Sequence, residues 1–281
     1  MTIQVLDGNN VFVGLAQSLA ADPKTVNACY EIDSVRRMML NYINKHVQAG
    51  RKVIIAADSW SWRKLAFEPY KFRRHADRKA GKDPFKYDLF INLMQQVLEE
   101  LKAFSPVVVL RVDGAEGDDI MAAFSTVFGA DEGVDLHSGD HDMLQLQLLY
   151  QGVRQFNPRA WKWVTPDLEK YDLIDHIIRG DTGDGVPNIL SDDDVFVTRT
   201  RQTVMTAGRY AEVLAILKKE NPEEHMDDDL KRRYIRNRTL IDLRSIPEEL
   251  IIEIFAAYER ELAARPAPGT YSKYLASHGI L

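Results

Sequence analysis

Eight acidic residues recur where an apolar run or a helical segment gives way to a turn, and this placement is the strongest chemical signal in the chain. Asp7 lies in VLDGNN, Asp58 in IIAADSW, Glu116 and Asp118 in DGAEGDD, Asp140 and Asp142 in SGDHD, and Asp181 and Asp184 in GDTGDG. One such aspartate ordinarily caps a helix or ends a turn. A whole set instead suits hard divalent cations, which prefer carboxylate oxygen and water and require neither sulfur nor imidazole. Mg²⁺ is the expected ion, with Mn²⁺ as its substitute. Side chains two apart point the same way on extended chain, so Glu116 and Asp118 can share a site if the backbone is extended there, as can Asp140 and Asp142. Gly180, Gly183 and Gly185 allow a tight path that would bring Asp181 and Asp184 toward the same cleft. Two ions about 4 Å apart would clamp the attacking water and the leaving oxygen of an in-line phosphoryl displacement.

Other acids read differently. Asp113 suits a turn, and Asp192, Asp193 and Asp194 suit a solvated loop or helix start. Asp119 suits either a support behind the ligands or the cap of a helix beginning at Ile120. His141 sits between two proposed ligands, and strand alternation would point it away from them.

The elements that must position these acids follow from periodicity. Apolar runs at 3–6, 53–57, 107–112 and 134–137 read as strands, and 32–48, 87–104 and 118–128 carry apolar residues at helical spacing. That alternation predicts an α/β domain with a mainly parallel sheet, whose ligand site would lie beyond the carboxyl ends of the strands. The aromatic, turn-rich 156–164 predicts a strand or hairpin at the sheet edge, with Trp161 and Trp163 packing. Helices are expected at 168–178, 211–219, 248–262 and 271–278. The domain reading is an α/β metal-binding core over 1–155, containing a basic segment at 63–86, and a mainly helical region over 156–281.

Charge is segregated. The formal net charge is -6 over 281 residues, yet the stretch from Arg63 to Lys82 holds eight Lys or Arg against Glu68 and Asp77. A second block, KRRYIRNR at 231–238, follows the acidic EEHMDDD. A phosphate track coexists with carboxylates that demand metal, so net charge is a poor guide to the ligand. The single cysteine, Cys29, excludes an internal disulfide and reads as core filling. No run reaches membrane-spanning length and the start MTIQVLDGNN lacks a secretion signal, so a cytoplasmic protein is expected.

Together, LDGNN, AADSW, YKFRR, DGAEGDD, SGDHDMLQL and GDTGDGVPNI resemble the 5′-nuclease family, the flap endonuclease and 5′→3′ exonuclease group with a PIN-like fold. NRTLIDLRSIP and PGTYSKYLASHGI look like the branch formed by the ribonucleases H of T-even bacteriophages. The resemblance implies a central sheet flanked by helices, a helical arch at 63–86 and a mostly helical C-terminal region. It implies one metal site drawing on Asp7, Asp58, Glu116 and Asp118, and a second drawing on Asp118, Asp140, Asp142 and Asp184, with Asp181 nearby. Lys71 would contact the scissile phosphate and Arg74 would support the departing charge. Arg63, Arg73 and Arg78 would add phosphate contacts.

In one place the chain departs from the family. Members usually continue GVPGIGxKTA, a helix-hairpin-helix that binds a monovalent cation and duplex phosphates, whereas this chain reads GVPNILSDDDVFVTRTRQTVMTAG. The second half of the motif is missing, which removes the basis for expecting bound K⁺. Duplex contact would fall to Arg199, Arg201, Arg209, Lys231, Arg232 and Arg233.

The implied activity is Mg²⁺-dependent removal of RNA primers and short 5′ flaps from duplex DNA during replication, leaving a 5′-phosphate. A phage-infected bacterium would be a fitting setting. A single-strand DNA-binding protein or a sliding clamp is the implied partner, although no clamp-binding tail is legible, and a monomer is the default. Rival readings are a PIN-like single-strand ribonuclease and a non-catalytic structure-specific binding module. A small-molecule phosphatase is disfavoured by the long basic segment.

Overall fold

The computed structural model describes residues 2–74, 85–166 and 171–280. Within these, the contacts divide the chain into two compact units. One comprises Met1–Trp60, Pro84–Pro166 and Pro247–Leu281, and the other comprises Ser61–Asp83 and Asp167–Ile246.

The first unit is built on a six-stranded mixed sheet in the order β3-β2-β1-β4-β5-β6. Its strands are β1 (Ile3–Asp7), β2 (Lys52–Ala56), β3 (Val108–Leu110), β4 (Val134–His137), β5 (Val153–Asn157) and β6 (Lys162–Val164). The first five pair in parallel and β6 closes an antiparallel hairpin on β5. Every residue of β1, β3 and β4 is buried, as parallel strands covered on both faces require. The helices Ile32–Gln48 and Tyr87–Phe104 have the bounds that periodicity predicts, and their apolar faces join the main core through Met39, Ile43, Phe90 and Leu101. Cys29 is core filling, as expected.

Chain order β1–β2–β3 runs out to one side of β1, and β4 then pairs on its other side. The switch point of the sheet therefore lies between the carboxyl ends of β1 and β4, where open α/β sheets place their ligands.

The edge hairpin forms where the aromatic stretch predicts one. Its tryptophans, however, are half exposed rather than buried. Trp161 and Trp163 set their rings edge-on against Phe156, with Lys45 over the first and Arg154 over the second.

A single cut at residue 155 does not follow the packing. The last segment belongs with the sheet because its helices Glu248–Ala263 and Thr270–Ser277 carry apolar faces of their own. Phe255 and Tyr258 meet Phe124, and Tyr274 stacks on Phe104. A polar clamp reinforces this docking: Arg36 donates to Glu100 at 2.6 and 2.7 Å, and the Tyr274 hydroxyl donates to the same carboxylate at 2.6 Å.

The second unit is mostly helical, with Arg63–Ala66, Leu173–Arg179, Ala207–Leu217 and Asp228–Ile241. One of its small cores gathers Phe67, Tyr70, Ile177, Val186, Leu240 and Ile241, and another gathers Ile178, Ile189 and Val213. The start of the expected helix 168–178 falls partly on residues outside those described. Among the described residues no helix is long and apolar enough to cross a membrane.

Removing the shared acceptor of the polar clamp tests the docking. Glu100→Ala leaves a buried guanidinium without its main partner and should cost about 2 kcal/mol, read from chemical denaturation. An unchanged midpoint would show that Arg36 re-pairs at no cost.

Candidate active site

The acids of the first unit are positioned by backbone amides at helix starts. Asp7 ends β1 and caps the helix Gly8–Ala20, accepting from the Asn10 amide at 2.9 Å and from Ser138 Oγ at 3.0 Å. Asp58 follows β2 and accepts from the Gly117 amide at 2.7 Å and from the Asn9 side chain. Glu116 is the N-cap of Gly117–Phe128, which places Asp118 in the first helical turn. Asp140 caps the short 3₁₀ turn His141–Met143 by accepting from the Asp142 amide at 3.0 Å.

Two expectations are corrected here. Neither Glu116/Asp118 nor Asp140/Asp142 lies on extended chain; each pair straddles a helix start, because the short acidic side chain satisfies amides that have no helical partner. His141 is accordingly exposed in a turn, outside any strand alternation. Asp119 is fully buried and accepts from the Glu116 amide at 2.9 Å, completing a capping box on a helix that begins at Gly117. Asp113 is a turn residue whose carboxylate receives the Trp60 indole N–H.

Gly117 explains how close the acids come. A Cβ on it would meet Asp58 Oδ1 at 3.2 Å and Asp7 Oδ1 at 3.6 Å, so two carboxylate oxygens flank one point that only a residue without a side chain leaves open. Burial, and then the negative charge of Asp58, push the Asp7 carboxyl up to about 7. Among the described residues, no three acidic, His or Cys side chains yet converge on one centre. Asp7, Asp58 and Asp140 are instead turned onto amides and a hydroxyl, which stabilise their charge where like-charged neighbours would not.

The second unit brings another part of the predicted set together. Asp181 and Asp184 sit in a turn closed by an isolated antiparallel bridge between Asp181 and Val186. The Asp184 amide donates to Asp181 Oδ1 at 3.0 Å. Burial works against the Asp181 charge, yet His176 and the turn amides hold its carboxyl down to about 2. Tyr70 donates to Asp184 at 3.0 Å, Arg74 pairs with it at 2.8 Å and Lys71 lies 3.6 Å away. Lys71 takes a left-handed backbone, φ 56°, and its amide donates to the Asp184 carbonyl at 2.7 Å. Gly185 permits that approach: at φ 74° its missing Cβ would meet the Pro69 carbonyl at 3.1 Å.

The remaining basic residues divide. Arg73, Arg199, Arg201 and Arg209 are exposed. Arg78 lies outside the described residues. Arg63 does not face solvent: it is 2% exposed, donates to the Leu240 carbonyl at 3.0 Å and lies over the Trp62 ring. Its amphipathic stem favours the inside of the small core, so it is no surface phosphate contact. Lys231 pairs with Glu223, Arg232 with Asp193 and Arg233 with Asp192. The acidic run 192–194 is thus the counterweight of this basic block, not merely a solvated loop.

A family model described as the 5′–3′ exonuclease, N-terminal resolvase-like domain, matches residues 2–172, well over half of the chain. The chain belongs to the 5′–3′ exonuclease family. A model of the C-terminal region of T4 RNase H matches residues 168–280 of this exonuclease. The ribonuclease H of Enterobacteria phage T4 is 25% identical over 268 residues, covering 91% of this chain and 86% of that protein. A crystal structure of the bacteriophage T5 flap endonuclease in a pseudo-enzyme–product complex with DNA and metal ions aligns with a TM-score of 0.61 at 16% identity, over 94% of this chain and 100% of that one. A T5 5′-exonuclease with bound divalent zinc ions aligns at 0.54 and 15%, over 99% and 98%. These structural likenesses speak to the fold. The sequence match makes the chain a 5′-type nuclease.

Several residues that hold the site of this exonuclease were not singled out from sequence. Asn9 and Asn10 stand within LDGNN itself; Asn9 holds Asp58, and Asn10 accepts from the Gly139 amide at 2.8 Å. Gln155 of β5 donates to the carbonyls of Ser138 and Asp140 at 2.9 and 2.6 Å, fixing the loop that bears Asp140. A buried glutamine between Arg154 and Phe156 of the strand VRQFN is the trace it leaves in the sequence.

The elevated Asp7 carboxyl has a signed consequence. Its folded pKa, about 7, lies above the ordinary 3.8, so between those values the folded chain keeps a proton that the unfolded chain has released. The Asp7 contribution to stability therefore falls as pH rises through that window and is constant above it. In chelator, Asp7→Asn should melt higher than the parent at about pH 8, the gap closing toward about pH 5. A gap that widens on acidification would refute the burial of a charged Asp7.

Proposed function

We propose that this 5′–3′ exonuclease also cuts flaps, removing RNA primers and short 5′ flaps from duplex DNA during replication, with two Mg²⁺ ions as its cofactors. The observation that carries the reading is the pair of carboxylates at the carboxyl ends of β1 and β2, where Asp7 and Asp58 flank Gly117 and burial holds a proton on Asp7 near neutrality. A donor set made of oxygen alone, with too much negative charge to ionise fully by itself, fits a hard divalent cation. Asp7, Asp58, Glu116, Asp118, Asp140 and Asp142 would hold the ions. Asp181 and Asp184 complete the ligand set that the family resemblance implies. Bound there, Mg²⁺ would compensate the phosphate charge and lower the pKa of water, and Mn²⁺ would substitute.

The protein's own groups would do the rest. Lys71 and Arg74, now engaged with Asp184, would exchange that carboxylate for a phosphate oxygen of the bound strand and stabilise the charge that develops as the bond breaks. The left-handed backbone at Lys71, tied to the Asp184 carbonyl, fixes the root of that side chain in advance. The hydrolysed strand would carry a 5′-phosphate. We read the sheet as PIN-like and the segment 63–86, of which 75–84 lie outside the described residues, as the arch that the family resemblance implies. Arg73, Arg78, Arg199, Arg201 and Arg209 would contact nucleic-acid phosphates, with Lys231, Arg232 and Arg233 contributing only on release from their acidic partners. A replication fork would be the place of action, with a single-strand DNA-binding protein or clamp delivering a monomer.

The test is cleavage of a duplex bearing an internally labelled 5′ RNA–DNA strand, and of a matched 5′-flap duplex, in Mg²⁺ and in excess chelator. Short products should leave the 5′ side only in Mg²⁺. Asp140→Asn and Lys71→Ala should each lower kcat by at least about a hundredfold. Tight binding without turnover in Mg²⁺ and in Mn²⁺ would leave a structure-specific binding protein, and equal cutting of single-stranded RNA would point to a PIN-like ribonuclease.

A further inference from the structure

The acidic turn of Asp181 and Asp184 is held from below by one helix, Asp228–Ile241. Its Asn237, fully buried, donates through Nδ2 to the Ile177 and Pro187 carbonyls, both at 2.8 Å. Those two carbonyls lie on either side of the turn, one in the helix that leads into it and one just after the Asp181–Val186 bridge that closes it. The preceding residue, Arg236, has a side chain only 6% exposed. Its Nη2 donates to the Pro187 carbonyl at 3.0 Å and to the Asn188 carbonyl at 3.3 Å, while Nε donates to Asn237 Oδ1 at 2.9 Å. One helical turn earlier, Arg233 Nη1 donates to the Leu190 carbonyl at 3.0 Å. Three carbonyls within four residues, outside any strand or regular helix, thus face guanidinium groups.

The charge is balanced locally. Asp193 pairs with Arg236 and with Arg232, and Asp192 pairs with Arg233 at 2.6 Å. The Phe67 ring lies 5.5 Å from the Arg236 guanidinium and offers its π-face to it. A buried arginine with this many fixed acceptors is a built site for a positive charge, and the charge comes from the chain itself. The family's usual glycine-rich hairpin is missing at this stretch, and the Pro187, Asn188 and Leu190 carbonyls there already accept from guanidinium groups.

We propose that Arg236, with Arg233, is a resident cation of the 187–190 turn, which takes no monovalent ion, and that through Asn237 and the closed loop it positions Asp181 and Asp184. This rests on the reading of those two aspartates as part of the nuclease site. Arg236 touches no reacting atom. It acts by fixing the turn, so its loss should act on turnover more than on substrate binding.

The first arm uses the unaltered protein. Its cleavage rate on the flap duplex in Mg²⁺, with KCl replaced by tetramethylammonium chloride at equal ionic strength, should stay within about twofold. A rate that collapses without K⁺ overturns the proposal. In the second arm, Arg236→Ala should lose on the order of a hundredfold in kcat, the scale of a misplacement of about 1 Å, with KM changed by less than about threefold. Millimolar guanidinium, but not tetramethylammonium, should return part of that loss and raise the melting temperature of the variant. Unchanged kcat in Arg236→Ala, or a loss confined to KM, also overturns it.

If Arg236→Ala does not fold, Arg236→Lys and Asp193→Asn take its place. Both should fold with lowered kcat and unchanged KM; parental kcat in both counts against the proposal. If the parent cleaves in no salt, the nuclease reading fails on its own. Melting then decides the resident cation: K⁺-independent melting of the parent upholds it and K⁺-dependent melting refutes it.

Discussion

Negative charge has to be kept crowded in a place that water barely reaches, and this constraint organises the structure. Asp7, Glu116, Asp119 and Asp140 each stand at a helical start, where amides without helical partners and the positive end of the helix dipole favour a carboxylate. Helix starts can gather at one edge because parallel strands all deliver the chain to the same side of the sheet. What is conventionally a cap, stabilising its own helix, here also serves the neighbours it crowds. The arrangement accommodates the acids without making them all comfortable: burial first, and then the charge of Asp58, keep a proton on Asp7 near neutrality.

The second unit solves the opposite problem. Its acidic turn faces cations on both sides: Lys71 and Arg74 on Asp184, and Arg236 on the carbonyls behind. Close approach is bought with glycine, since a side chain at Gly185 would collide with the backbone that carries Lys71. The two units therefore use glycine for different ends, Gly117 leaving space between carboxylates and Gly185 letting two backbones meet.

Much of this was legible in residue order. Continuous apolar runs mark buried parallel strands, and the acids that follow mark the functional edge. The helices Ile32–Gln48 and Tyr87–Phe104 announce themselves because each sets one apolar stripe against the core. Legibility failed where a residue type has two homes. KRRYIRNR reads as a surface patch, yet Arg236 and Asn237 of that stretch are buried and Arg232 and Arg233 are paired with acids 39 and 41 residues away in sequence. Arg63 misled for the same reason: the charge of an arginine says nothing about whether carbonyls await it indoors. The helix Gly8–Ala20 escaped because its start, GNN, carries turn formers that here follow the Asp7 cap and hold neighbouring loops. Segment pairing also lies beyond periodicity, which reports faces and not partners.

The three-part composition of the sheet-bearing unit bears on its synthesis. Helices Glu248–Ala263 and Thr270–Ser277 cover Phe124 and Phe104 and clamp Glu100 from the far end of the chain. A ribosome makes every strand, and every acid at their ends, long before it makes that cover. Until that segment has left the exit tunnel, Phe124 and its surroundings stand open, a state in which nascent chains are prone to stick to one another. Closure of the carboxylate-bearing unit thus waits on a segment synthesised well after the acids whose unit it completes.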